Sequence, residues 1–182
     1  MIDERSWEDM KKSFALLTGK MVSKISTFFG RDGSVIGGFW ANKIDEKLLT
    51  KIKYPKIIIG VTGSSGKSST TQLIAHIISN SRYSIAYNKN GSNTLNGITS
   101  LIINNCSLNG TFNKDILLLE LDERFMKQIL KFFSPTYLLI TNITRDQPTR
   151  NMHTEFISNC IKESLPNSTK LIINADDPIV FN

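Results

Sequence analysis

Between Trp7 and Phe28 the apolar residues Trp7, Met10, Phe14, Leu17, Met21, Ile25 and Phe28 recur every three or four positions, the spacing of an amphipathic helix. Gly30 is placed to stop it. The stretch Gly30 to Asn42 is glycine-rich and reads as a loop, Ile44 to Ile52 as a short helix, and Lys53 to Pro55 as a boundary. From Lys56 onward, short apolar runs alternate with helical stretches. Strands are predicted over Lys56 to Thr62, Tyr83 to Tyr87, Asp115 to Leu121, Thr136 to Thr141 and Lys170 to Asn174. Helices are predicted over Lys67 to Asn80, Thr94 to Asn104, Glu123 to Phe133 and Met152 to Leu165. Short strands that are apolar on both faces and separated by helices specify a doubly wound, mostly parallel α/β sheet covered on both sides. Ligands in such sheets bind at the carboxyl ends of the strands, so chemistry is to be sought just after each one.

Composition narrows the class. With 182 residues, 40% hydrophobic and 21% charged, the chain can build one compact domain with a short appendage, here residues 1–54 before a domain over 55–182. No apolar run approaches the roughly 20 residues of a membrane-spanning helix. The first ten residues hold Asp3, Glu4, Glu8 and Asp9 and no apolar h-region, which predicts a cytoplasmic chain. Cys106 and Cys160 share no CxxC motif and are expected to be reduced, buried and small hydrophobes. The net charge of +6 is concentrated before Lys56, but without an Arg-rich run interleaved with aromatics, so no nucleic-acid partner is expected. Lys11, Lys12, Lys20 and Lys24 flank the first helix and would suit an anionic membrane surface. Packing of its apolar stripe on its own domain or a partner is the favoured expectation.

The strongest chemical signal follows the first strand: Thr62, Gly63, Ser64, Ser65, Gly66, Lys67, Ser68 and Ser69. Small residues there let backbone N–H groups surround a phosphate, the next helix adds its positive end, and Lys67 supplies a point charge. Ser68 would ligate Mg²⁺. The strict P-loop pattern wants glycine where Val61 stands, and Gly63 carries the turn instead. The third strand delivers Glu120, Asp122 and Glu123 to the same edge. Glu120 is the expected metal ligand, since hard cations take oxygen, whereas Asp122 and Glu123 could equally cap the next helix. The polar run Thr141 to Gln147 ends the fourth strand and Asn88 to Asn93 the second. His76 is expected to be structural, and His153 has no metal-type partner nearby in sequence.

Taken together, Thr62 to Ser68, Glu120, Thr141-Asn142 with Asp146, and Asn174-Ala175-Asp176-Asp177-Pro178 resemble the central ATP-binding domain of the Mur ligases. Gly30-Arg31-Asp32-Gly33, Ala41 to Ile44, Asn90 to Asn93, Glu120 to Glu123 and Arg145-Asp146-Gln147 are similar to the MurT branch, the ligase-like subunits of lipid II isoglutaminyl synthases. That resemblance implies ATP and Mg²⁺ as cofactors, Lys67 and Glu120 as catalytic residues, Ser68 and Glu120 as metal ligands, and Asn93 and Asn142 in contact with nucleotide or substrate. It implies activation of the D-glutamate α-carboxyl of lipid II as an acyl phosphate, amidated with ammonia from a GatD-like glutaminase subunit. Lipid II would be met at the inner membrane face. An amino-acid-adding ligase of the muramyl-peptide or folylpolyglutamate type, or a non-catalytic nucleotide-binding module, are the alternatives. Thr149 stands where the family tends to have aspartate, and Pro148, Asn151 and Met152 also differ. The family continues past Asp177-Pro178 into a zinc ribbon and a C-terminal domain. The chain is therefore expected to be a fragment or a shortened homologue, inactive in isolation.

Overall fold

The computed structural model describes residues 4–28, 35–89, 92–144 and 153–181. The helix stop at Gly30, the motif residues 30–33 and 90–91, and the polar loop from Arg145 to Met152 lie outside the described residues. Two compact units are formed, Met1–Pro55 with Thr94–Lys114, and Lys56–Asn93 with Asp115–Asn182. Thr94–Lys114, expected within a continuous second domain, packs in the first unit because its helix is built into that unit's apolar interior.

The first unit consists of α1 (Glu4–Phe28), α2 (Ile36–Ile44), a 3₁₀ turn at Leu48–Lys51 and α4 (Leu95–Asn104). The face of α1 that packs inward carries Ala15, Leu16, Gly19, Ser23 and Ser26, whereas the predicted apolar stripe is exposed. Inward packing of that stripe is thus overturned, for a steric reason. A Cβ on Gly19 would stand 2.9 Å from the Gly37 carbonyl oxygen, so α1 and α2 approach through their small residues. The predicted Gly30–Asn42 loop is likewise a helix from Ile36, despite a penalty of about 1 kcal/mol per glycine. Gly38 lies against the backbone of α4, and its N–H, one of those a helix start leaves unbonded, donates to Ser100 Oγ at 2.6 Å. Asn42 joins the same contact, donating to Asn96 Oδ1 at 2.9 Å and Thr99 Oγ1 at 3.0 Å. The short helix expected over Ile44 to Ile52 is only the 3₁₀ turn, preceded by a buried Asp45 that pairs with Lys51 at 2.6 Å. Cys106 is buried and burial pushes its thiol up to about 12, against the opposing Lys20 ammonium. Cys160, in the other unit, is only half-buried.

The described residues of the second unit form a five-stranded parallel sheet in the order β2-β3-β1-β4-β5. The strands are β1 (Ile57–Thr62), β2 (Ile85–Tyr87), β3 (Ile116–Glu120), β4 (Tyr137–Ile140) and β5 (Lys170–Ile173), each within two residues of its predicted ends. α3 (Lys67–Ser79) leads from β1 to β2, α5 (Met126–Leu130) from β3 to β4, and α6 (Thr154–Ser164) from β4 to β5, before the single turn α7 (Pro178–Phe181). α3 packs against β1, β2 and β3, and α5 packs against α6. Val61, Ala75 and Leu118 form the buried centre under α3, with Ile59, Ile74, Ile85, Tyr87 and Leu139 around it. Every residue of β3 is buried, as a central parallel strand requires, whereas Leu171, Ile172 and Ile173 of β5 are exposed. The register aligns Val61 with Glu120 and Thr62 with Ile140, so β1, β3 and β4 end together. The strand order reverses at β1, the place where this architecture binds ligands.

Replacing Gly38 tests the close helix contact. A Cβ there would collide with the Asn96 carbonyl oxygen and stand 2.7 Å from Ser100 N, both backbone atoms that cannot swing aside. Gly38→Ala is expected to lower the urea stability of the chain by about 2 kcal/mol, reversing the gain that alanine brings to an unencumbered helix.

Candidate functional site

Thr62, grouped by sequence with the phosphate-binding residues, is fully buried, and its hydroxyl donates to Leu121 O at 3.1 Å. It ties the end of β1 to the end of β3 and is closed off from any ligand. The turn proper begins at Gly63, whose φ of 129° favours glycine, and a Cβ there would stand 2.7 Å from Asn142 O. Gly66, at φ 77°, precedes α3 and has open space where a Cβ would be. With no side-chain cap at Gly66, the first N–H groups of α3 are not bonded within the helix and present its positive end.

The exit of β4 clamps this turn. Ser64 N donates to Asn142 O at 2.9 Å, Ser65 N donates to Asn142 Oδ1 at 3.0 Å, and Asn142 Nδ2 donates to Ser65 O at 3.0 Å. Thr141 Oγ1 donates to Ser65 O at 2.7 Å, and Ser64 Oγ exchanges hydrogen bonds with the backbone of Thr144, both at 2.9 Å. Asn142, expected to touch nucleotide or substrate, shapes the loop through both ends of its amide, which Ser65 engages.

The three carboxylates after β3 take different partners. Asp122 is held by Arg124 at 2.5 Å; burial pushes its carboxyl up, but the Arg124 hydrogen bonds outweigh this and keep it below the ordinary range. Glu123 is buried and lies 3.4 Å from Lys67 Nζ, which also donates to Gly63 O. Neither side chain caps α5, whose start is displaced to Met126. The Glu120 carboxylate accepts no hydrogen bond among the described residues, yet the residue is only 5% exposed. Its backbone is fixed by Asn88, which donates from Nδ2 to Glu120 O at 2.9 Å and accepts from Glu120 N at 2.8 Å. This side chain extends the β2–β3 ladder by one step, a role the sequence does not reveal because it depends on a partner 32 positions away.

Glu120 and Ser68 line one hollow of about 740 Å³ with Thr71, Tyr87, Asn88 and Lys89. Thr71 Oγ1 is buried there without a hydrogen-bond partner. A hydroxyl and a bare carboxylate at the start of a helix fit a hard divalent cation shared with phosphate oxygens. Among the described residues no group of three His, Cys, Asp or Glu is placed to hold a metal ion. Ser69 is exposed next to Ser68, while Asn93 is not among the residues lining the hollow. His76, on α3, does line it and meets Asn80 Nδ2 at 3.3 Å.

Residues 61–182 match the family described as Mur ligase middle domain. The chain is 32% identical over 173 residues to the lipid II isoglutaminyl synthase (glutamine-hydrolyzing) subunit MurT of Staphylococcus aureus strain COL, covering 94% of this chain and 39% of that protein. It is 30% identical over 176 residues to the MurT subunit of Streptococcus pneumoniae, with 95% and 38% covered. The chain thus spans about two fifths of the length of these relatives. Among solved structures, a pseudomurein peptide ligase type C from Methanothermus fervidus is 25% identical with a TM-score of 0.55, over 74% of this chain and 27% of that one. MurF from Acinetobacter baumannii shares the fold at a TM-score of 0.58, with 16% identity over 77% and 31%.

The two residues at the end of β3 separate fold support from ligand support. Asn88→Ala strands the Glu120 N–H and C=O and is expected to cost about 2 kcal/mol in urea unfolding. Glu120→Gln removes a carboxylate that accepts no described hydrogen bond, and its unfolding midpoint is expected to equal or exceed that of the parent chain.

Proposed function

The chain belongs to the Mur ligase family of ATP-dependent cell-wall ligases, and from that premise we propose that it is the ATP-binding domain of a subunit that amidates lipid II. The observation that carries this reading is the Gly63–Ser68 turn between β1 and α3, with the bare Glu120 carboxylate opening into the same hollow as Ser68. The similarity to the MurT subunits over 94% of the chain supports the choice of substrate.

In the proposed reaction a carboxylate oxygen of the lipid II stem D-glutamate attacks the γ-phosphorus of ATP and ADP leaves. Ammonia from a GatD-like glutaminase subunit then attacks the acyl carbon, and inorganic phosphate departs with the electron pair of the broken C–O bond. The backbone N–H groups of Gly66, Lys67 and Ser68 and the start of α3 take the phosphate oxygens. Lys67, released from Gly63 O, follows the charge on the transferring phosphoryl group. Ser68 and Glu120 would hold Mg²⁺, which would supply positive charge to offset that of the phosphate oxygens. Ser64 and Ser65 keep the turn in shape through their bonds to Thr144 and Asn142, and Ser69 borders the phosphate position. Asn93 is the candidate from the β2 loop for contact with the second substrate. Most of the acceleration comes from positioning and charge stabilisation, since phosphoryl transfer leaves little covalent work to the protein.

Calorimetric titration with ATP tests the reading. The chain is expected to bind ATP with Mg²⁺ and much more weakly with chelator. Lys67→Ala should weaken binding about tenfold or more, and because it also leaves the buried Glu123 carboxylate without its partner, its unfolding midpoint should fall as well. Glu120→Gln should flatten the Mg²⁺ dependence. Identical titrations for parent and both variants would remove the nucleotide site. In an assay of the protein that contains this chain, glutamine-dependent conversion of the stem glutamate to its amide supports the acceptor, whereas addition of an amino acid assigns the amino-acid-adding class.

A further inference from the structure

We propose that α1 is a membrane-docking helix that lies in the headgroup region of an anionic bilayer through its exposed stripe of Trp7, Met10, Phe14, Leu17, Met21 and Ile25. Each of these residues is more than two fifths exposed, with Phe14 at 60% and Trp7 at 58%. An amphipathic helix ordinarily turns its large apolar side chains inward, and here the small-residue face does the inward packing instead. The large face is thus left as a continuous apolar strip along a helix of 25 residues. Exposed apolar surface on this scale marks a site of interaction.

Charge identifies the occupant. At 3.6 residues per turn, Lys11 and Lys24 fall on opposite borders of the strip. Two of the three acidic residues of the same helix are turned from it and paired within the unit, Glu8 with Lys51 and Asp9 with Lys12 at 2.8 Å, and the third, Glu4, is the first residue of the helix. An apolar strip edged by lysines and carrying Trp and Phe is the pattern that inserts shallowly among anionic headgroups. α2 repeats the chemistry: Phe39 and Trp40 are exposed, and the Lys43 ammonium stands 5.5 Å above the Trp40 ring. Both tryptophans of the protein are therefore exposed on these two helices, and tryptophan favours the membrane–water interface. A second helix is a poorer occupant, because Trp7, Phe14 and Met21, one heptad apart, are larger than the branched residues a two-helix seam takes at that position. None of the described helices is long and apolar enough to cross a membrane, so the helix lies in the plane of the surface.

Docking requires neither nucleotide nor metal, so it stands or falls apart from the ligase reading. Sedimentation with phosphatidylglycerol-containing vesicles, pure phosphatidylcholine vesicles and no lipid tests it, with tryptophan emission as a second readout. The chain is expected to sediment with the anionic vesicles, with a blue shift in emission, and to be released by salt. The double variant Phe14→Glu, Met21→Glu changes exposed positions only; it should keep the parent's helical circular dichroism and Mg-ATP titration while partitioning about tenfold less. Lys11→Glu with Lys24→Glu should weaken anionic-vesicle binding without altering the fold. Absence of sedimentation with anionic vesicles overturns the proposal, as does equal binding by the Phe14/Met21 variant. A dimer in lipid-free buffer that this variant dissociates, with no vesicle binding, assigns the strip to a second copy and equally overturns it.

Discussion

The candidate site depends on the passage of the chain out of β1 against the exit of β4. At Gly63 there is no room for a side chain, because the Asn142 backbone occupies the position a Cβ would take. That closeness lets Asn142 bond the N–H groups of Ser64 and Ser65, and α3 then starts at Lys67 with no side-chain cap. The parallel register supplies the approach, since Thr62 pairs with Ile140 and the two strands end side by side. The shape of this turn is therefore a property of two adjacent strand ends. Gly66 plays a different part: its conformation is constrained but its surroundings are open, which is what a backbone contacting a ligand requires.

The sheet was legible in the sequence because each strand is short, apolar and bounded by polar turns, and the burial that selects this pattern in β3 is local to the strand. The turn after β1 was legible for a similar reason: its glycines, lysine and serine act close to their own place in the chain. What could not be read was anything decided by a distant partner. Asn142 and Thr62 look like ligand groups by position, yet their polar atoms are claimed by Ser65 and Leu121. Asp122 looks like a metal ligand or a cap until Arg124 is seen folded onto it. Periodicity showed that α1 is amphipathic, but it does not say which face a neighbouring helix will accept. Gly19, Gly37 and Gly38 settle that by permitting close backbone contact, and Gly37 and Gly38 also made α2 look like a loop.

The division of the carboxylates has an electrostatic consequence. With Glu123 beside Lys67 and Asp122 tied to Arg124, the lysine does not present an uncompensated positive charge to an incoming phosphate. The attraction must come largely from the backbone N–H groups at the start of α3, and Glu120 would oppose it by adding a negative charge to the same hollow. In the proposed site a divalent cation would resolve the conflict, making Glu120 part of the binding surface rather than a repulsive group. Nucleotide affinity in such a site is tied to the metal by charge balance, independently of any role the metal has in the chemical step.

Glu120 and the α1 stripe are departures from the same rule in opposite directions. A folded chain gains stability by covering apolar surface and by pairing buried polar groups, so a buried bare carboxylate and an exposed row of Trp, Phe, Met, Leu and Ile are each unfavourable for the chain alone. Substitutions that relieve either would be easy to find if stability were all that mattered. Their chemistry suits the two proposals: an oxygen-seeking cation for a carboxylate that shares a hollow with a serine, and a low-dielectric, negatively charged surface for an apolar strip edged with lysine. Among the described residues the fully buried side-chain oxygens without a hydrogen-bond partner are those of Ser23, Ser26 and Thr71, whereas Glu120 lines the hollow. The two departures are informative about function in a way that the well-packed strands are not.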